Sequence, residues 1–122
     1  MSHIVTVIVD IRDLDAVKSA CQRLGLKEPV RGKTMLFNTE AEGLLVELPE
    51  WDYPIVLDLS AGKIQYDNYG GQWGDEKYLD CFKQAYSAEK ARLEAWKMGY
   101  SVTEQPLEDG SIKLVINAGG AA

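Results

Sequence analysis

YDNYGGQWGDE, residues 66–76, holds two tyrosines, a tryptophan, three glycines, an asparagine and three carboxylates in eleven residues. It divides the chain: before it, short apolar runs alternate as strands do, and after it one pattern of helical period runs to Met98. Gly70, Gly71 and Gly74 ahead of a helix start first suggest a phosphate cradle, because free backbone N–H groups and the helix dipole favour anions there. Asp75 and Glu76 occupy that end themselves. Asp75 accepts the free N–H groups as N-cap, and with Glu76 it supplies the negative charge the dipole favours, so a second anion is repelled. The stretch therefore reads as a strand, a glycine-permitted turn and a self-capped helix start. Tyr69 and Trp73 face either the core or a partner, and the sequence leaves both open.

Working back from this turn, Thr34 to Asn38, Gly43 to Leu48, Ile55 to Leu59 and Lys63 to Tyr69 read as short strands of a hairpin meander. Glu-Gly, Pro-Glu-Trp-Asp-Tyr-Pro and Ala-Gly punctuate them. Upstream, His3 to Ile11 alternates β-branched residues on both faces, the mark of a central strand. Asp13 then caps a helix in which Leu14, Val17, Cys21 and Leu24 recur at helical spacing, and Gly25 stops it. Downstream, the long helix runs from Asp75 to about Met98 with Gly99 as its stop. A hairpin follows, Ser101 to Gln105 and Ser111 to Asn117, turning at Asp109-Gly110. The order β-α-β-β-β-β-α-β-β predicts an α+β two-layer sandwich, a mainly antiparallel sheet with both helices on one face. Residues 1–117 make one domain and AGGAA, 118–122, a flexible tail.

Composition narrows the function classes. A chain of 122 residues buries roughly two thirds of its unfolded surface and needs no metal or disulfide to fold. No apolar run approaches the roughly 20 residues that span a bilayer. Met1 to Asp13 lacks a cationic leader and a small-residue cleavage site, so the cytosol or an organelle stroma is the expected compartment. The net charge of −6, with basic residues scattered, argues against a phosphate-backbone partner. Cys21 and Cys81 lack redox or zinc spacing and read as buried, inert thiols.

Candidate site residues follow from local conflicts. On the long helix Leu79, Phe82, Tyr86, Leu93 and Trp96 form one apolar stripe, and Glu89 falls in its middle with Arg92 three residues on, close enough to pair. Glu89 is a structural ion pair, a charge that reaches water between sheet and helix, or a functional carboxylate. His3 is the only histidine, which leaves nucleophilic catalysis without a base and zinc without enough ligands. Asp67, Asp75 and Glu76 miss calcium-loop spacing. No spacing supports acid–base work by Asp58, Asp67 or Glu89, so no catalytic residue, metal or cofactor is assigned.

Several motifs recur together. Met1-Ser2-His3 before a strand, Leu24-Gly25, Leu48-Pro49-Glu50-Trp51, Tyr53-Pro54, Tyr66-Asp67-Asn68-Tyr69, Gly71, Trp73-Gly74-Asp75, Tyr86 with Glu89, Gly99 and Asp109-Gly110-Ser111-Ile112 resemble one family across nearly the whole chain. It is the family of hypothetical chloroplast reading frame thirty-five, a domain of unknown function, and the Gly-Gly-Gln-Trp-Gly loop is similar to its bacterial branch. The resemblance implies an accessory or adaptor role near AAA-type ATPases and small ferredoxin-like proteins. Two expectations follow. One is a non-catalytic interaction module whose sheet edge or aromatic loop binds a protein, with Trp51, Tyr53, Asp67, Asn68, Tyr69 and Trp73 as candidate contacts. The other is a ligand-binding domain or weak enzyme with a pocket between long helix and sheet, and Glu89 and Arg92 as its polar groups. A cavity beside Glu89 separates the two.

Overall fold

The structure is a computed structural model that describes residues 5–8, 10–36 and 39–117. The elements run β1 (Val5–Ile8), α1 (Leu14–Leu24), β2 (Val30–Leu36), β3 (Thr39–Val46), β4 (Ile55–Asp58), β5 (Lys63–Tyr66), a 3-10 turn (Tyr69–Gly71), α2 (Glu76–Lys97), β6 (Ser101–Pro106) and β7 (Ile112–Asn117). The fold is α+β, in the expected order. Strands β1 to β5 form one antiparallel sheet in the order β1-β5-β4-β3-β2, with Val5 opposite Tyr66, Leu57 opposite Ile64 and Leu44 opposite Leu57. The final hairpin is a separate two-stranded sheet, β6 with β7.

Strand periodicity sorts the sheet into two faces. Leu44, Val46, Ile55, Leu57, Ile64 and Tyr66 point toward the helices and share one core with Val17, Ala20 and Cys21 of α1 and Leu79, Phe82 and Tyr86 of α2. Phe82, Ile55 and Ile64 are fully buried, and each such side chain contributes about 1.5–3 kcal/mol. The alternate positions Leu36, Ala41, Leu45 and Val56 form a smaller cluster on the opposite face, with Tyr53 packed onto it.

The helix ends follow the sequence closely. Asp13 Oδ1 accepts from the N–H groups of Asp15 at 2.9 Å and Ala16 at 3.3 Å, and Gly25 at φ 70° closes α1 with its N–H on the Gln22 carbonyl. Asp75 caps α2 by accepting from the Lys77 N–H at 2.9 Å, and Gly99, at φ 80°, follows its last turn. The Tyr86 hydroxyl joins the helices by accepting from the backbone N–H of Arg12 at 3.2 Å and of Asp13 at 3.1 Å.

Several expectations shift. Glu42-Gly43 lies inside β3, because Gly43 is there for packing: a Cβ would stand 2.6 Å from the Leu57 carbonyl oxygen. Strand β5 ends at Tyr66 instead of Tyr69, since the Asp67 side chain takes the Tyr69 N–H at 3.3 Å in place of a ladder partner. The first strand is an edge strand among the described residues, paired with β5, instead of a central one; Asp10 and Ile11 leave it, and Ile11 turns into the core. Cys81 is exposed, being one position off the buried stripe of α2, whereas Cys21 is buried and its thiol is pushed up to about 11 by desolvation. Trp96 is 77% exposed: the buried position in the last turn of α2 is Ala95, and Trp96 lies to the side, next to Tyr100 and Val102. The readings for His3, Ile4, Val9, Phe37, Asn38 and the 118–122 tail lie outside the described residues.

Candidate functional site

The expected site residues fall into two groups. Trp51, Tyr53, Asp67, Asn68, Tyr69 and Trp73 come together around the 66–76 turn, and Glu89 and Arg92 lie on α2 beside β6.

The turn is built from the inside. Asn68, 3% exposed, donates from Nδ2 to the Gly74 carbonyl at 3.2 Å, and its own carbonyl accepts from the N–H groups of Gly71 and Trp73, both at 2.9 Å. Tyr69 at φ 49°, Gly70 at 63° and Gly71 at 102° pass in succession through the left-handed region, and the two glycines take it without a Cβ penalty. This path brings Trp73 back over Tyr69, stacked with ring centroids 4.6 Å apart, while Tyr53 meets Trp73 edge-on at 5.6 Å. Tyr69 stays at the surface, 37% exposed. Trp51 sits deeper, edge-on to Tyr66 at 5.6 Å, with Nε1 donating to the Asp75 carbonyl at 3.0 Å. Asp67 is 1% exposed, and its Oδ2 is buried with no hydrogen-bond partner among the described residues. The turn thus fixes the start of α2 to the sheet.

The second group has a different character. Glu89 Oε2 accepts from Arg23 Nη1 at 3.0 Å and lies 3.9 Å from Arg92 Nη1, so the expected Arg92 partner is secondary to one in α1. Glu104 of β6 binds Arg23 through both carboxylate oxygens and takes Arg92 Nη1 at 3.0 Å. The Arg23 guanidinium, with Arg92 behind it, holds the Glu104 carboxyl below its ordinary value. Among the described residues Nε and Nη2 of Arg92 meet no acceptor, and its side chain is 53% exposed.

A groove opens over this cluster. One part, about 560 Å³, is lined by Ser19, Gln22 and Arg23 of α1, Glu89 and Arg92 of α2, and Val102 and Glu104 of β6. An adjoining part, about 420 Å³, shares Glu89, Arg92 and Val102 and continues over Leu93, Trp96 and Tyr100. It lies between the two helices and β6, instead of between α2 and the five-stranded sheet.

Comparison with protein-family models, with curated proteins and with solved structures finds no match.

Among the described residues no three His, Cys, Asp or Glu side chains gather as a metal site, and no helix is long and apolar enough to cross a membrane. Sequence reasoning missed Arg23 and Glu104. Their signal was available in part: alternation along β6 sets Glu104 on the same face as Val102, a carboxylate on the side where an apolar residue is expected.

Proposed function

We propose that the chain is a non-catalytic protein-interaction module whose working face is the groove between α2 and β6. One observation carries the reading: Trp96 stands 77% exposed beside a groove of about 420 Å³ that also holds the solvent-facing outer edge of Arg92. Tryptophan and arginine supply a disproportionate share of interface energy, and both are already held on a rigid helix. The motif resemblance supports an accessory role and makes an AAA-type ATPase the first partner to test.

A second reading, a small-molecule site, is favoured by the position of the groove beside Glu89 and Arg92. Against it, small-molecule sites enclose most of their ligand, and this groove is open along its length with Arg92 and Trp96 facing solvent. The test is site-specific photo-crosslinking from an exposed residue that lines the groove, such as Ser101, in the source cell. A discrete adduct that disappears with Trp96→Ala supports the module. An adduct indifferent to Trp96→Ala, or none, counts against it.

A further inference from the structure

The groove has a feature that an aromatic patch alone lacks. Strand β6 runs back along α2: it begins just after the helix C-terminus, Glu104 reaches Arg92, and the following turn reaches Gln84, whose Nε2 donates to the Gly110 carbonyl at 2.9 Å. Its ladder is to β7, from Ser101 opposite Asn117 to Pro106 opposite Ile112. Among the described residues no strand pairs with its other edge and no backbone hydrogen bond is made there. The groove is lined by β6 residues and by no residue of β7. A strand edge thus runs beside a groove whose opposite walls are helices. Unpaired edges of this kind template the addition of an extended segment, with main-chain bonds giving affinity and alternate side chains giving specificity.

The side chains along α2 state what such a segment carries. Arg92 offers two unengaged guanidinium donors, Nε and Nη2, in the fork that matches a carboxylate. Arg23 already holds both Glu89 and Glu104, so these acids are compensated from the other side. One helical turn further on, Trp96 with Leu93, Tyr100 and Val102 offers an apolar seat. Four residues of helix rise about 6 Å, and residues two apart in a strand, which face the same way, are separated by about 6.8 Å. The spacing of Arg92 and Trp96 therefore matches residues i and i+2 of a strand laid alongside.

We propose that the groove takes an extended segment of a partner protein, added as a strand to the free edge of β6, with a carboxylate on Arg92 and an apolar side chain two residues away on Trp96. Antiparallel addition to β6 runs the segment in the direction of α2 and places the acidic residue first. This inference rests on the interaction-module reading and names the chemistry of its partner.

The test pans short random peptides displayed on phage against the immobilised full chain. Enrichment of Asp or Glu two positions before Trp, Phe, Leu or Met is expected, and the reverse order, reporting parallel addition, also supports the proposal. A synthetic copy of the enriched peptide is expected to lose about tenfold or more in affinity to Arg92→Ala and to Trp96→Ala. Both side chains are exposed, so the variants are expected to fold, and an unchanged urea midpoint verifies it. Methylating alternate backbone nitrogens of the peptide leaves the protein intact and is expected to abolish binding. Enrichment without an acidic position, binding that tolerates N-methylation at every register, or no enrichment overturns strand addition. A dimer in sedimentation that Trp96→Ala dissolves gives the groove to a second copy. Shifts of the Trp96 indole N–H with 4-phenylbutyrate, in the absence of any peptide binder, give it to a free organic acid. Either result overturns the proposal. If the crosslinked partner is lost with Trp96→Ala while no peptide binds, strand addition falls and the interaction module stands.

Discussion

Gly74 lies against the indole of Trp51 so closely that a Cβ at this position would stand 2.6 Å from both Cε2 and Cγ of the ring. The same indole donates from Nε1 to the carbonyl of Asp75, the N-cap of α2, and packs on the main core. Gly74→Ala must therefore displace either the ring or the helix start. The expected cost is about 1–3 kcal/mol, read as a lowered urea midpoint with an unchanged slope. Gly32→Ala is the contrasting control, since a Cβ there meets only Leu45 Cδ1 at 3.9 Å and is expected to leave the midpoint unchanged or raise it.

Tyr86→Phe tests the joint between the helices. The hydroxyl is the acceptor for two backbone N–H groups at the entry to α1, and the side chain is 4% exposed. Removing one oxygen orphans both donors at once. The expected destabilisation is about 1–3 kcal/mol, with the fastest gain in amide exchange at Arg12 and Asp13. An unaltered exchange rate at those two amides would show that water replaces the hydroxyl freely.

The contrast between these two sites marks what the sequence could disclose. Asp13, Gly25, Asp75 and Gly99 were legible because a helix end is local chemistry: an acceptor before the first free N–H, or a residue free to turn left-handed after the last turn. Gly74 was visible as a turn residue, yet its partner Trp51 was not, since their contact depends on how the sheet delivers residues 51 and 74 to one place. Glu89 was recognised as a conflict within an apolar stripe, and the conflict was real. Its main partner is Arg23, 66 positions away, and no helical periodicity encodes a contact between two helices. Trp96 followed the stripe by period alone, yet Ala95 is the residue buried in that turn and Trp96 is exposed, because period gives a face of the helix and not what covers it.

Glu104 makes the docking of the hairpin dependent on pH. No side chain of β6 or β7 is fully buried, and an isolated two-stranded sheet is marginal by itself, so the bonds from Arg23 and Arg92 to Glu104 hold much of it in place. The folded Glu104 carboxyl is depressed, first by its hydrogen bond to Arg23. A depressed carboxylate contributes stability that is complete above its unfolded value and is lost as pH falls through the folded one. The contribution is thus intact above the ordinary glutamate value of 4.5 and disappears below it. Amide exchange in β6 and β7, corrected for its intrinsic pH dependence, is expected to accelerate below pH 4.5 before exchange in β4 and β5 does. In Glu104→Gln the hairpin is expected to exchange faster already at neutral pH, with no further change attributable to this group. Uniform acceleration in both sheets would refute the hairpin's separate docking.

Arg23 and Arg92 carry equal charge into one cluster, yet they are expected to differ in what their loss costs. Arg23 bonds Glu89 and both oxygens of Glu104, and its side chain is 27% exposed; Arg92 shares a single Glu104 oxygen and is 53% exposed. Arg23→Ala leaves two half-buried carboxylates facing one another with only the outer guanidinium between them. Arg92→Ala leaves both still paired with Arg23. The expected losses are about 1–2 kcal/mol for Arg23→Ala and less than about 0.5 kcal/mol for Arg92→Ala, both measured by urea unfolding at low ionic strength. A double-mutant cycle with Glu104→Gln is expected to show strong coupling to Arg23 and weak coupling to Arg92. Equal couplings would mean that Arg92 belongs to the structural network, in which case its outer edge is not held ready for a carboxylate from outside.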